Sequence, residues 1–138
     1  MVKKLIGKKL GMTRYFLDEG KSVPATMVQV GPCVVIQKKT LEKDGYEAIQ
    51  VGFEDQKEKR INKPLKGHFK AAGEKSFVHL REIRVESTEE FELGQEIKAD
   101  IFEIGELVQV SGKSKGRGFS GVIKRWGFSK GRETHGSR

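Results

Sequence analysis

The chain has few of the residues that cross-link a fold or bind metals. Its 138 residues include one cysteine and three histidines. Cys33 has no partner for a disulfide, and the widely separated histidines match no zinc-binding spacing. We therefore expect Cys33 to be a buried, reduced thiol and expect no metal site. We also find no nucleophile paired with a base and no pair of carboxylates placed for catalysis.

Long apolar runs are missing as well. No run approaches the roughly 20 residues needed to cross a bilayer, and the basic start MVKKLIGKKLGM has neither the apolar core nor the cleavage site of a secretory signal. These absences predict a soluble, cytoplasmic protein with no membrane partner. The length suits one domain with a modest core.

Charge is the most informative property that is present. Residues 1–14 hold five basic residues and no acid, whereas residues 15–112 have a net charge of −4. Residues 113–138 hold eight Lys/Arg and one acid, so this segment contributes +7 of the overall +8. A basic, glycine-rich end on an acidic middle is the pattern expected of a protein that follows a phosphate backbone.

The middle of the chain predicts short β-strands separated by turns. Hairpin connections are expected at 18–21 and 43–45, where Gly20 and Gly45 can adopt positive φ. In the strand at 46–53, Ile49, Val51 and Phe53 alternate with Gln50 and Gly52, which predicts one buried face.

The rest of the middle is less regular. We expect a loop at 54–65, one helical turn at 68–72, a bulge near residues 81–82 in a strand at 77–85, and further strands at 91–104 and 106–111. Six or seven short strands suit a small barrel or a sandwich. The predicted fold is mainly β, with a β-domain at 1–112 and a basic extension at 113–138.

The extension contains one helical pattern. Phe119, Val122, Ile123 and Trp126 follow helical spacing, and Gly127 is placed to end the helix. We expect this apolar stripe to anchor a short helix, with Lys124 and Arg125 on its other side. Trp126 is expected to pack more readily than to stack on a base.

The segment 116–121 matches G-x-G-x-x-G, a pattern typical of dinucleotide binding. The predicted strands are antiparallel, however, and no acidic residue follows at the required distance. A nucleotide-cofactor-binding β-barrel enzyme using residues 116–121 remains the alternative hypothesis.

The chain resembles the bacterial-type ribosomal protein L3 family. The resemblance covers essentially the whole chain, and it is densest in the block VSGKSKGRGFSGVIKRWGF and in THGS close behind it. It is carried by residues 6–16, 44–53, 62–69, 81–86, 110–128 and 134–137.

The resemblance implies a small barrel like that of translation-factor domains, with a long extension that enters large-subunit RNA toward the peptidyl transferase centre. It also implies direct binding of that RNA early in subunit assembly, neighbouring ribosomal proteins as partners, no cofactor and no enzymatic activity. Members of the family are longer, and the returning arm, the closing barrel strands and a methylated glutamine have no counterpart here.

We therefore predict a structural protein of the large ribosomal subunit that binds its RNA, with no small-molecule substrate and with an assembly chaperone as a third hypothesis. The predicted RNA-binding residues form a main group in the extension and a second patch near the start of the chain. They are Lys113, Lys115, Arg117, Lys124, Arg125, Lys130, Arg132, His135 and Arg138, with Lys8, Lys9 and Arg14 as the second patch.

Overall fold

The chain divides into two units, Met1–Glu106 and Leu107–Arg138. The computed structural model describes residues 3–18, 20–73, 75–132 and 134–135. The first unit contains two antiparallel sheets, and the second contains one short helix in otherwise irregular chain. The prediction of a mainly β fold is confirmed.

A two-stranded hairpin begins the first unit. Strand β1 (Gly7–Phe16) pairs with β2 (Ser22–Val30). Gly20 takes a φ of 76° in the connecting turn, and its N–H donates to the carbonyl oxygen of Leu17 at 2.9 Å. This confirms the hairpin that the sequence predicted at 18–21.

The second sheet has four strands in the order β5-β4-β3-β6. After β3 (Cys33–Lys39), the short helix α1 (Leu41–Asp44) ends at Gly45, whose φ of 79° turns the chain into β4 (Ala48–Asp55). The helix α2 (Lys63–Phe69) then leads to β5 (Phe77–Arg84) and to the two-residue β6 (Glu96–Ile97). All pairs are antiparallel, including the predicted β3–β4 hairpin.

The core lies on both faces of this sheet. On one face Val35, Ile49 and Val51 are fully buried with Phe53 and Phe91. On the other face, Val34 and Ile36 pack against Phe69 of α2 and against Phe77. The expectation of a single buried face on β4 was therefore wrong, because α2 covers the side on which Gly52 lies.

Three further sequence predictions need correction. The β5 register runs without a shift from Arg84 to Phe77, so the bulge expected near residues 81–82 is absent there. Apolar residues lie on both faces of β5, Ile83 on one and Leu80 on the other, because both faces of the sheet are covered. Within 91–104 only Glu96–Ile97 is a strand, and 106–111 forms none. The described strands form two sheets and do not close a barrel.

Helix α2 starts inside the stretch expected to be a loop, and its start has a local cause. The side-chain oxygen of Asn62 accepts a hydrogen bond from the backbone N–H of Leu65 at 3.1 Å, and Pro64 lies in the first turn. An Asn cap satisfies one of the N–H groups that a helix leaves unpaired. Proline is tolerated in the first turn because its missing N–H has no helical acceptor there.

We expect Asn62→Ala to lower the free energy of unfolding by about 1 kcal/mol, the usual value of such a cap. Urea unfolding followed by circular dichroism measures the change. Asn62→Asp keeps a cap acceptor and is the control, so it should stay close to the unmodified protein. Equal losses in both variants would contradict a capping role for this side chain.

Candidate nucleic-acid interface

Residues 113–132, the first continuously described stretch of the predicted extension, are hereafter called the basic arm. It contains seven Lys/Arg and no Asp or Glu. Each of these seven side chains is exposed. No carboxylate lies between them along the arm. An exposed run of cations without acids is suited to a polyanion.

The predicted residues occupy three successive parts of the arm. Lys113, Lys115 and Arg117 lie in irregular chain, Lys124 and Arg125 lie in a helix, and Lys130 and Arg132 follow it. A Cβ added at Gly116 or Gly121 would meet no heavy atom within 4 Å, so the chain around these glycines is open. His135 is exposed with a φ of 63°. Arg138 lies outside the described residues.

The helix α3 (Val122–Trp126) organises the middle of the arm. Gly127 ends it in the left-handed conformation, with a φ of 68°, and its N–H donates to the carbonyl oxygen of Ile123 at 2.9 Å. The predicted stop at Gly127 is confirmed. The helix begins only after Gly121, so Phe119 does not belong to it, contrary to the predicted four-residue stripe.

The remaining stripe is not buried as the sequence predicted. Trp126 is 65% exposed, and Val122 and Ile123 are about half exposed. Helical geometry places Lys124 opposite the stripe and Arg125 at its edge. The Arg125 guanidinium carbon lies 5.1 Å from the centroid of the Trp126 ring. The sequence predicted that Lys124 and Arg125 both lie on the side of the helix away from the stripe. This is wrong for Arg125, because its guanidinium lies over the indole ring of Trp126.

The second predicted patch is divided by the register of β1. Lys9 pairs with Val28 and Arg14 with Pro24, and these partners are four residues apart on β2. Directly opposed residues of a sheet share a face, so Lys9 and Arg14 lie on the same face. Residues five apart lie on opposite faces of a regular strand. The register shift between Lys9 and Gly11 puts Lys9 and Arg14 on the same face.

Lys8 is placed differently. Its side chain lies on the opposite face of the hairpin, and its Nζ donates to the Glu54 carboxylate at 2.7 Å. This hydrogen bond holds the pKa of Glu54 below its usual value, so the carboxylate stays charged. Lys8 is therefore partly neutralised within the first unit. The structure thus places Lys9 and Arg14 on one face of the hairpin and Lys8 on the other.

One charged cluster was not found from the sequence. The Tyr46 hydroxyl accepts from Lys39 Nζ and donates to the Glu82 carboxylate, each at 2.9 Å, while Lys39 and Arg84 both lie over the Tyr46 ring. The hydrogen bond to Tyr46 and, second in size, that to Glu82 raise the pKa of Lys39. The hydrogen bond from Lys39 in turn lowers the pKa of Glu82. The polar groups of this cluster form hydrogen bonds with one another, and these bonds link β3 to β5. Only the strand register reveals it.

The alternative cofactor site lacks its structural context. Dinucleotide-binding loops connect a strand to a helix in a parallel βαβ unit. The segment 116–121 follows irregular chain, α3 has five residues, and the described strands pair only antiparallel. The described residues also contain no group of three or more His, Cys, Asp or Glu that could hold a metal. None of their helices is long and apolar enough to span a membrane.

A mainly β unit followed by a basic, glycine-rich arm is typical of a nucleic-acid-binding protein. The family model for Ribosomal protein L3 matches residues 79–138. Three bacterial relatives named large ribosomal subunit protein uL3 match nearly the whole chain. They come from Geobacter sulfurreducens (56% identical, 99% of this chain), Carboxydothermus hydrogenoformans (55%, 100%) and Heliobacterium modesticaldum (58%, 100%).

The chain belongs to the ribosomal protein L3 family. It spans 65–66% of the length of these relatives. The resemblance seen in the sequence is confirmed.

Proposed function

We propose that the chain is a structural, non-enzymatic component of the large ribosomal subunit in the cytoplasm and that it binds large-subunit ribosomal RNA directly. The observation that carries the binding proposal is the basic arm, which has seven exposed cations and no acid over twenty residues. Family membership supports the ribosomal setting. Neighbouring proteins of the subunit complete the proposed set of partners.

Within that setting, we assign the β-domain to residues 1–112 and the RNA-penetrating extension to 113–138. The extension reaches toward the peptidyl transferase centre and supports early assembly. Its binding residues are the seven cations of the arm with His135 and Arg138, and Lys9 and Arg14 form a smaller second contact near Lys8. Contacts to phosphates and to folded RNA shape dominate over the reading of base edges.

The salt dependence of binding tests the role of α3. Replacing both Lys124 and Arg125 with alanine is expected to reduce the log–log slope of affinity against salt by up to about 0.7 for each lost phosphate contact. The reason is that each contact releases condensed counterions from the RNA. Filter binding to large-subunit ribosomal RNA over a range of salt concentrations gives the slope.

The matched control is Lys59→Ala with Arg60→Ala, an exposed Lys-Arg pair in the first unit. It removes the same charge outside the proposed interface and should leave the slope nearly unchanged. An unchanged slope in the Lys124/Arg125 variant would remove α3 from the phosphate-binding surface.

Two rival functions have separate tests. Saturable micromolar binding of a dinucleotide in the absence of RNA would favour the cofactor-binding enzyme. An assembly chaperone would bind the RNA transiently and would be missing from mature large subunits in a sedimentation gradient.

A further inference from the structure

Aromatic side chains interrupt the cations of the basic arm and remain exposed. Phe119 and Phe128 flank α3, and Trp126 lies on it. All three are more than half exposed. A purely electrostatic contact with phosphates needs no aromatic groups. Proteins that bind single-stranded nucleic acid, in contrast, combine a cationic path with aromatic rings on which bases stack.

Trp126 is the best placed of the three. Arg125 lies over its ring at 5.1 Å, and the side chain is 65% exposed. A guanidinium placed in this way is attracted to the indole and restricts its orientation. Because one cation occupies one side of the ring, the rest of the exposed surface is free for a planar group. A nucleobase fits this surface, and the exposed cations of the arm supply positive charge for the phosphates of the same strand.

The charge of the arm determines the kind of partner. A protein surface that covered the stripe of Val122, Ile123 and Trp126 would also have to neutralise seven cations. A nucleic acid supplies both the flat apolar surface and the negative charge. A base inside a duplex is already stacked on its neighbours, so an accessible base must come from a loop, a bulge or a single strand.

We propose that Trp126, held by Arg125, stacks on an unpaired base of the bound RNA. The arm would then combine sequence-independent phosphate contacts with a preference for unpaired segments. This proposal rests on the proposed RNA-binding function and adds the class of RNA element that α3 contacts.

Trp126 is the only tryptophan in the chain, so its fluorescence reports on this position alone. We expect a single-stranded oligoadenylate to quench the emission in a saturable way. A duplex RNA with the same number of phosphates should bind through the cations and leave the emission largely unchanged. Equal quenching by both RNAs, or no quenching at saturation, would overturn the stacking proposal.

Binding of the same two RNAs to variants provides the second measurement. Trp126→Leu is expected to weaken binding of the single strand by roughly 5- to 150-fold, the range for one lost stacking contact, with little effect on the duplex and no change in the salt slope. Trp126→Phe keeps an aromatic face and should restore most of the affinity. Phe119→Leu tests whether any exposed aromatic residue gives the same effect.

The outcomes separate this proposal from the function on which it rests. If neither RNA binds, both fail. If both RNAs bind with a steep salt slope but Trp126→Leu matches the unmodified chain, only the stacking proposal fails. In that case the stripe on α3 serves a different partner, such as a protein.

Discussion

Removing the charge of the basic arm is expected to abolish specific RNA binding at moderate salt while leaving the β-domain folded. The variant replaces the seven arm cations with glutamine, at Lys113, Lys115, Arg117, Lys124, Arg125, Lys130 and Arg132. If each contacts a phosphate, the log–log salt slope falls by about 5, and affinity at 0.1 M salt falls by up to about 10⁵-fold. Filter binding to large-subunit ribosomal RNA measures both quantities.

A control of equal charge distinguishes the arm from net charge. It replaces seven exposed cations of the first unit with glutamine, at Lys43, Lys57, Lys59, Arg60, Lys63, Lys70 and Lys98. We expect this control to lose little slope, because these residues lie in the segment with net negative charge. If the two variants lose affinity equally, overall charge and not the arm governs binding.

The largest expected effect on stability comes from Gly52→Ala. Gly52 is buried in β4, and a Cβ at this position would lie 2.5 Å from two ring atoms of Phe77 and 2.6 Å from Cδ1 of Ile36. Non-bonded carbons prefer about 3.5–4.0 Å, so the ring and the sheet must move apart. Overpacking of this kind costs about 1–3 kcal/mol or more. The lower chain entropy of alanine offsets less than about 1 kcal/mol of this cost.

We therefore expect Gly52→Ala to lower the free energy of unfolding by about 2 kcal/mol, measured by urea unfolding. Gly11→Ala is the matched control, since Gly11 also lies in a strand but a Cβ there would meet nothing within 4 Å. Combining Gly52→Ala with Phe77→Leu should recover part of the loss, because the smaller side chain makes room. Strictly additive effects would contradict the contact between Gly52 and Phe77.

Features set by local chemistry were predictable from the sequence. Gly20 takes a positive φ in the turn between β1 and β2, and Gly45 and Gly127 take one at the ends of α1 and α3, as the turn and helix-stop patterns indicated. The alternation of Ile49, Val51 and Phe53 identified a buried strand. The charge map identified the basic arm, since charge density along a chain needs no tertiary information.

Features set by distant contacts were not predictable. The second buried face of β4 depends on Phe69, and the ion pair of Lys8 depends on Glu54, 46 residues away. Pro64 was interpreted as a loop residue because a single proline fits both a loop and the first turn of a helix. The shared face of Lys9 and Arg14 required the register of a bulged strand. For Trp126, helical spacing alone does not tell whether a stripe is covered.

The central claim is that this chain is held in the large ribosomal subunit by its basic arm. The most direct test expresses the tagged chain in bacterial cells, isolates large subunits, washes them in high salt and measures the chain that remains by immunoblotting across a sedimentation gradient. We expect the unmodified chain to sediment with the large subunit and the seven-glutamine arm variant to stay at the top of the gradient. The claim would be contradicted if the unmodified chain were washed off, or if both chains remained bound to the same extent.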